Sequence, residues 1–135
     1  MIGILIVCHG DLAEGLLNSM SLIIGEQEKI EAIGLYEGDS IDKLPERVEQ
    51  KIGKLKSQEG VLIFVDIIGA SPFNVCARVI HETPDQKLAL LTGVNLPMLL
   101  EGAMKRENDL SLEELTQEIK EIGKDQIKTL SEFLK

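Results

Sequence analysis

The chain has 135 residues, 44% of them hydrophobic and 27% charged, which suits one soluble domain with a real core and is too short for two. Its 14 basic and 23 acidic side chains leave a net charge of −9, and three Phe, one Tyr and no Trp supply little for stacking, so a nucleic-acid or anionic-lipid binder is not expected. No apolar run nears the roughly 20 residues of a membrane helix, and the amino-terminal apolar run lacks the flanks of a signal peptide, so a cytoplasmic location without membrane insertion is expected.

The first element reads as a buried strand, Ile2 to Cys8, stopping on His9-Gly10. A helix follows from Asp11 to about Ile24, with Asp11 and Glu14 spaced as a capping box and Gly25 as the stop. The second strand covers Ile30 to Tyr36. Gly38-Asp39-Ser40 then opens an amphipathic helix through Lys56, in which Ile41, Leu44, Val48, Ile52 and Leu55 recur at three- to four-residue spacing. The third strand, Val61 to Asp66, is apolar up to its final carboxylate. After the loop Ile67 to Ala70, Ser71 reads as an N-cap and Pro72 as the first residue of a helix to about His81.

Lys87 to Leu91 gives the fourth strand, and Gly93 to Leu96 turns into a helix from Pro97 to Arg106. Ser111 and Glu114 form a second capping-box pattern before a helix to about Ile122. The last piece, Asp125 to Lys135, reads as an edge strand around Ile127 to Leu130, with a helix as the other reading. Alternating strands and helices give an α/β fold, and residues 1–135 read as one domain without repeats or linkers. The doubly wound arrangement expected is a mainly parallel sheet in the order 2-1-3-4 with helices on both faces.

That order places the carboxyl ends of strands one and three at the switch point, where ligands bind in open α/β sheets. His9 and Asp66 stand at those two ends. A neutral imidazole is a competent nucleophile when a carboxylate fixes its tautomer and leaves the second ring nitrogen free. The Ser71 helix start adds backbone N–H groups suited to an anion. Together these residues point to phosphoryl transfer through a phosphohistidine. Asp11 and Ser71 also read simply as caps, His81 as a partner of its helix dipole, Cys8 as a strand-end side chain, and Met98, Leu99 and Leu100 as packing. Cys8 and Cys76 form no metal or redox pair, and no nucleotide or metal motif occurs, so neither cofactor nor metal is expected. The His9, Asp66 and Ser71 segments hold no Lys or Arg.

Three segments, GILIVCHGDLAEGLL from Gly3, VLIFVDIIGASPFN from Val61 and KLALLTGVNLPMLLEG from Lys87, resemble the enzyme IIA component of the mannose-type sugar phosphotransferase system of bacteria. The resemblance spans almost the whole chain. It implies that His9 is the phosphorylated histidine, that Asp66 is the carboxylate bonded to it, and that Gly69, Ala70 and Ser71 surround the phosphoryl group, Ala70 standing where some relatives have glycine. It implies HPr as phosphoryl donor and the B component of a sugar permease as acceptor, with any membrane association peripheral and through the permease. It also implies a homodimer, in some members with an antiparallel carboxyl-terminal strand exchanged onto the partner's sheet. Two other readings keep the same fold: the phosphotransfer subunit that serves dihydroxyacetone kinase, and a regulatory docking module that accepts no phosphate.

Overall fold

Strands that carry no polar residue between their ends must be covered on both faces, and β1 (Gly3–His9) and β3 (Val61–Val65) are buried throughout except at His9. The computed structural model describes residues 1–135. β1 and β3 pair with each other in the middle of a four-stranded parallel sheet, with β2 (Ile30–Leu35) and β4 (Leu88–Leu91) at the edges, in the expected order 2-1-3-4.

The two-residue period of the strands divides the core into two layers. Ile4, Ile6 and Cys8 of β1 and Leu62 and Phe64 of β3 pack against α1 (Leu12–Ile24), α4 (Leu96–Lys105) and α5 (Leu112–Asp125). Leu5, Val7, Ile63 and Val65 face the other way, onto α2 (Leu44–Leu55) and α3 (Ser71–Glu82). Each fully buried Leu, Ile or Phe contributes about 1.5–3 kcal/mol of transfer free energy. On α2 the buried residues are Leu44, Val48, Ile52 and Leu55, the stripe the sequence predicts; Ile41 belongs instead to a 3₁₀ turn at Ile41–Lys43 and is exposed.

One side chain ties the amino-terminal edge together. Arg106, 4% exposed, donates from Nη1 to the carbonyls of Ile2 (3.1 Å) and Lys29 (3.0 Å) and from Nη2 to that of Glu28. One buried guanidinium at the end of α4 thereby gathers three carbonyls, that of Lys29 also accepting the Ile4 N–H (3.0 Å).

Two local expectations are corrected, and the carboxyl-terminal segment takes its helical reading in the single chain. Asp11 precedes α1 but makes no capping bond, because its carboxylate is engaged elsewhere, by Tyr36. Ala70, not Ser71, is the N-cap of α3: Ala70 is extended (φ −85°, ψ 176°) while Ser71 is already helical, which moves Pro72 to the second position. No strand forms at Ile127 to Leu130 in the single chain. The Ile127 N–H is taken by the Lys124 carbonyl (3.2 Å), and the Thr129 hydroxyl accepts the Glu132 N–H (3.2 Å) to cap a one-turn helix, α6 (Leu130–Phe133). Local bonds thus occupy backbone groups that a strand would present to a neighbour.

Candidate functional site

His9 is the last residue of β1 and the first one of that strand to emerge from the core. The parallel register that sets Val7 beside Val65 brings the next turn of β3 level with it, and there stands Asp66. Asp66 Oδ2 accepts two bonds from His9, one from the backbone N–H (2.9 Å) and one from ring Nδ1 (2.8 Å). Its other oxygen accepts the Ile67 N–H (2.9 Å). An ionised carboxylate has no proton to give, so Nδ1 is the donor and Nε2 carries the lone pair. Nε2 makes no hydrogen bond. The His9 side chain is 46% exposed against 9% for Asp66, which places the free nitrogen toward solvent and the carboxylate behind it.

Burial alone would push the Asp66 carboxyl upward, but the backbone N–H of His9, its ring and the Ile67 N–H together hold it below the ordinary 3.8. The carboxylate therefore stays charged beside the imidazole near neutral pH. Cys8, one residue earlier, is its opposite: burial and the nearby Asp66 charge push its thiol up to about 12, so it stays a thiol and packs in the core.

The loop after Asp66 turns at Gly69, whose φ of 81° suits only a residue without a side chain, and the Asn74 amide donates to the Gly69 carbonyl (3.1 Å). Ala70 and Ser71 follow at the start of α3, where Ser71 makes no cap bond with its hydroxyl. His9 and Asp66 are thus brought into direct contact, whereas Ser71 is joined to neither by a hydrogen bond. His81 lies in the last turn of α3, as expected of a dipole partner, and Met98 and Leu99 are core residues.

Sequence reasoning missed several neighbours. The Tyr36 hydroxyl donates to Asp11 Oδ1 (2.7 Å), a partnership across 25 residues that no local pattern signals. Asn95 caps α4 by accepting the Met98 N–H (3.0 Å), and Asn before Leu-Pro was a legible cue. Arg47 of α2 bonds the Gly34 carbonyl (3.2 Å) at the carboxyl end of β2. The site itself is open: a cavity of about 700 Å³ lies elsewhere, lined by Gln58, Lys87, Leu88 and Leu112 among others, and touches neither His9 nor Asp66. No group of three His, Cys, Asp or Glu is arranged to hold a metal ion, and no helix is long and apolar enough to cross a membrane.

Residues 3–120 match the family described as "PTS system fructose IIA component". The chain belongs to that family, the mannose-type IIA components of the sugar phosphotransferase system. It is 35% identical over 134 residues to the "PTS system fructose-specific EIIA component" of Bacillus subtilis, covering 99% of this chain and 90% of that protein. It is 36% identical over 129 residues to the "PTS system mannose-specific EIIAB component" of Escherichia coli, covering 96% of this chain but only 39% of that longer protein. Among solved structures, a phosphotransferase system component EIIA from Streptococcus agalactiae superposes with a TM-score of 0.90 at 30% identity, covering 97% of this chain and 98% of that one. The IIA fold expected from the three segments is therefore the fold observed.

Proposed function

We propose that His9 stores a phosphoryl group in transit between two proteins, accepting it on Nε2 from HPr and passing it to the B component of a mannose-type sugar permease. The observation that carries this reading is the 2.8 Å contact of Nδ1 with Asp66 Oδ2 behind a ring nitrogen that is unbonded and faces solvent. In the transfer the P–N bond of a donor phosphoimidazolium breaks while a P–N bond to Nε2 forms. The donor leaves as a neutral imidazole, and His9 becomes the phosphoimidazolium, its positive charge lying against Asp66. Asp66 orients the ring and balances that charge; it takes no proton.

Gly69, Ala70 and Ser71 would contact the phosphoryl oxygens with backbone N–H groups and the free Ser71 hydroxyl. The open surface suits protein partners. Leu12, Ile67 and Ile68, which flank His9 and Asp66 in the chain, are exposed, an apolar margin on which a carrier protein can dock. With no cation in the His9, Asp66 and Ser71 segments, the partners supply the positive charge that the transferring group requires. The protein then works in the cytoplasm, reaching the membrane only through the permease.

We infer a homodimer as the working form, since Ile127, Leu130, Phe133 and Leu134 at the carboxyl end are exposed in the single chain. Label from phosphorylated HPr should appear on this protein and move on to a permease B component. Delivery to a dihydroxyacetone kinase instead would reassign the acceptor, and no uptake of label would leave only a docking module.

A further inference from the structure

Asp11 occupies the position before α1 from which a carboxylate ordinarily accepts the N–H groups of the first turn, yet it makes no such bond. Its Oδ1 instead accepts the Tyr36 hydroxyl at 2.7 Å. Tyr36 directly follows β2, whose Leu35 lies beside His9 in the parallel register. The two loops are tied a second time, by the Gly10 N–H donating to the Leu35 carbonyl at 2.8 Å. Between them sits Gly34. A Cβ there would clash with the Gly10 carbonyl oxygen and approach the Tyr36 ring to 2.8–2.9 Å, so the absence of a side chain is what allows the Tyr36 ring and the His9 turn to close together. Tyr36 is itself anchored, its N–H donating to Asp39 Oδ2 at 2.8 Å, with Arg47 3.7 Å from the same carboxylate oxygen.

We propose that Tyr36 and Asp11 form a clasp that positions the His9 turn for phosphoryl transfer. Both are positioning residues: neither hydrogen-bonds His9, and they act through Gly10 and the backbone that carries the imidazole. Asp66 fixes the ring from the β3 side; the clasp fixes the turn from the β2 side. The imidazole is thus held from both neighbouring strands, and attack on phosphorus is sensitive to small displacements of the nucleophile. The proposal rests on His9 being the phosphoryl acceptor, but its first test does not.

That test is amide exchange. In Tyr36→Phe, which keeps the ring and removes only the hydroxyl, the Gly10 amide should exchange about tenfold faster than in the wild type, while amides of the β3 core stay unchanged. Asp11→Ala should do the same, and Asp11→Asn, which keeps an oxygen acceptor, should stay within about twofold of wild type. Unchanged Gly10 exchange in Tyr36→Phe overturns the clasp whether or not the protein accepts phosphate.

The second test is kinetic. With phosphorylated HPr as donor, Tyr36→Phe and Asp11→Ala should each lower kcat about five- to tenfold with KM unchanged, and the double variant should be no slower than either single one. A raised KM at constant kcat would make Tyr36 a docking contact. Fully additive losses would mean that the two residues do not act together. Either result overturns the proposal. A wild-type protein that takes no phosphate defeats the functional reading alone, and the exchange measurement then decides the clasp.

Discussion

A single oxygen of Asp66 holds His9 twice, by its backbone N–H and by its ring Nδ1. The first bond sets where the residue is, the second sets which way its imidazole faces, and both come from a neighbouring strand 57 residues away. Nε2 is therefore the ring nitrogen left without a partner.

The phosphorylated protein should carry its phosphorus on Nε2 of His9, which nitrogen-resolved NMR of the imidazole distinguishes from Nδ1. His9→Ala should take up no label. Because the side chain is half exposed, that variant should keep its fold, losing at most about 1 kcal/mol in denaturant unfolding. Phosphorus on Nδ1, or uptake by His9→Ala, contradicts the assignment.

Asp66→Asn should slow phosphoryl transfer by about 10²-fold without abolishing it, since the nucleophile remains and only its orientation and charge balance suffer. The substitution should also change the response to acid. In the folded protein the Asp66 carboxyl lies below its ordinary 3.8, so its bonds stabilise the fold fully above that value and lose their contribution as pH falls through the lowered one. The stability gap between wild type and Asp66→Asn should be widest near neutrality and close in acid, as urea unfolding at a series of pH values will measure.

Ile68→Asp should raise the KM for the phosphoryl donor about tenfold with kcat within about twofold, because Ile68 is 71% exposed and has no packing role to lose. An unchanged KM would remove this loop from the docking surface.

Arg106→Met should cost about 2–4 kcal/mol in stability, since it takes this donor from the carbonyls of Ile2 and Glu28 and leaves that of Lys29 with the Ile4 N–H alone. The folded fraction should transfer phosphate at the normal rate, Arg106 standing at the amino-terminal edge of the sheet and His9 at the carboxyl-terminal one. A stability within about 0.5 kcal/mol of wild type would show the clamp to be dispensable.

Removing residues 127–135 should convert a dimer to a monomer in sedimentation, with circular dichroism of the sheet unchanged. The segment holds four large exposed apolar side chains, and its α6 is a single helical turn. A full-length monomer, or a truncated dimer, removes the tail from the interface.

What could be read from the residues depended on how far away the deciding partner lay. β1 and β3 announced themselves because both faces of each are buried, leaving no polar residue before His9 and Asp66. The capping box at Ser111 and Glu114 was legible because both bonds are local, and both are made. The same spacing at Asp11 and Glu14 misled, because Tyr36 claims the Asp11 carboxylate from another strand. The start of α3 slipped by one residue because Ala70, which has no capping side chain, takes the extended conformation that Ser71 was expected to adopt. The carboxyl-terminal segment reads two ways because it is short: in the single chain Thr129 closes a helical turn, the second of the two readings its residues allow. Arg106 left no sequence signal, since its acceptors are backbone carbonyls that any residue would provide.

That arginine has a bearing on the birth of the molecule. It closes against a carbonyl 104 residues earlier in the chain, so β1 waits for Arg106 and everything between them to leave the ribosome before this end of the sheet is sealed. Until then β1 is an apolar strand without its full cover, and a stalled or truncated product ending before Arg106 would be prone to self-association.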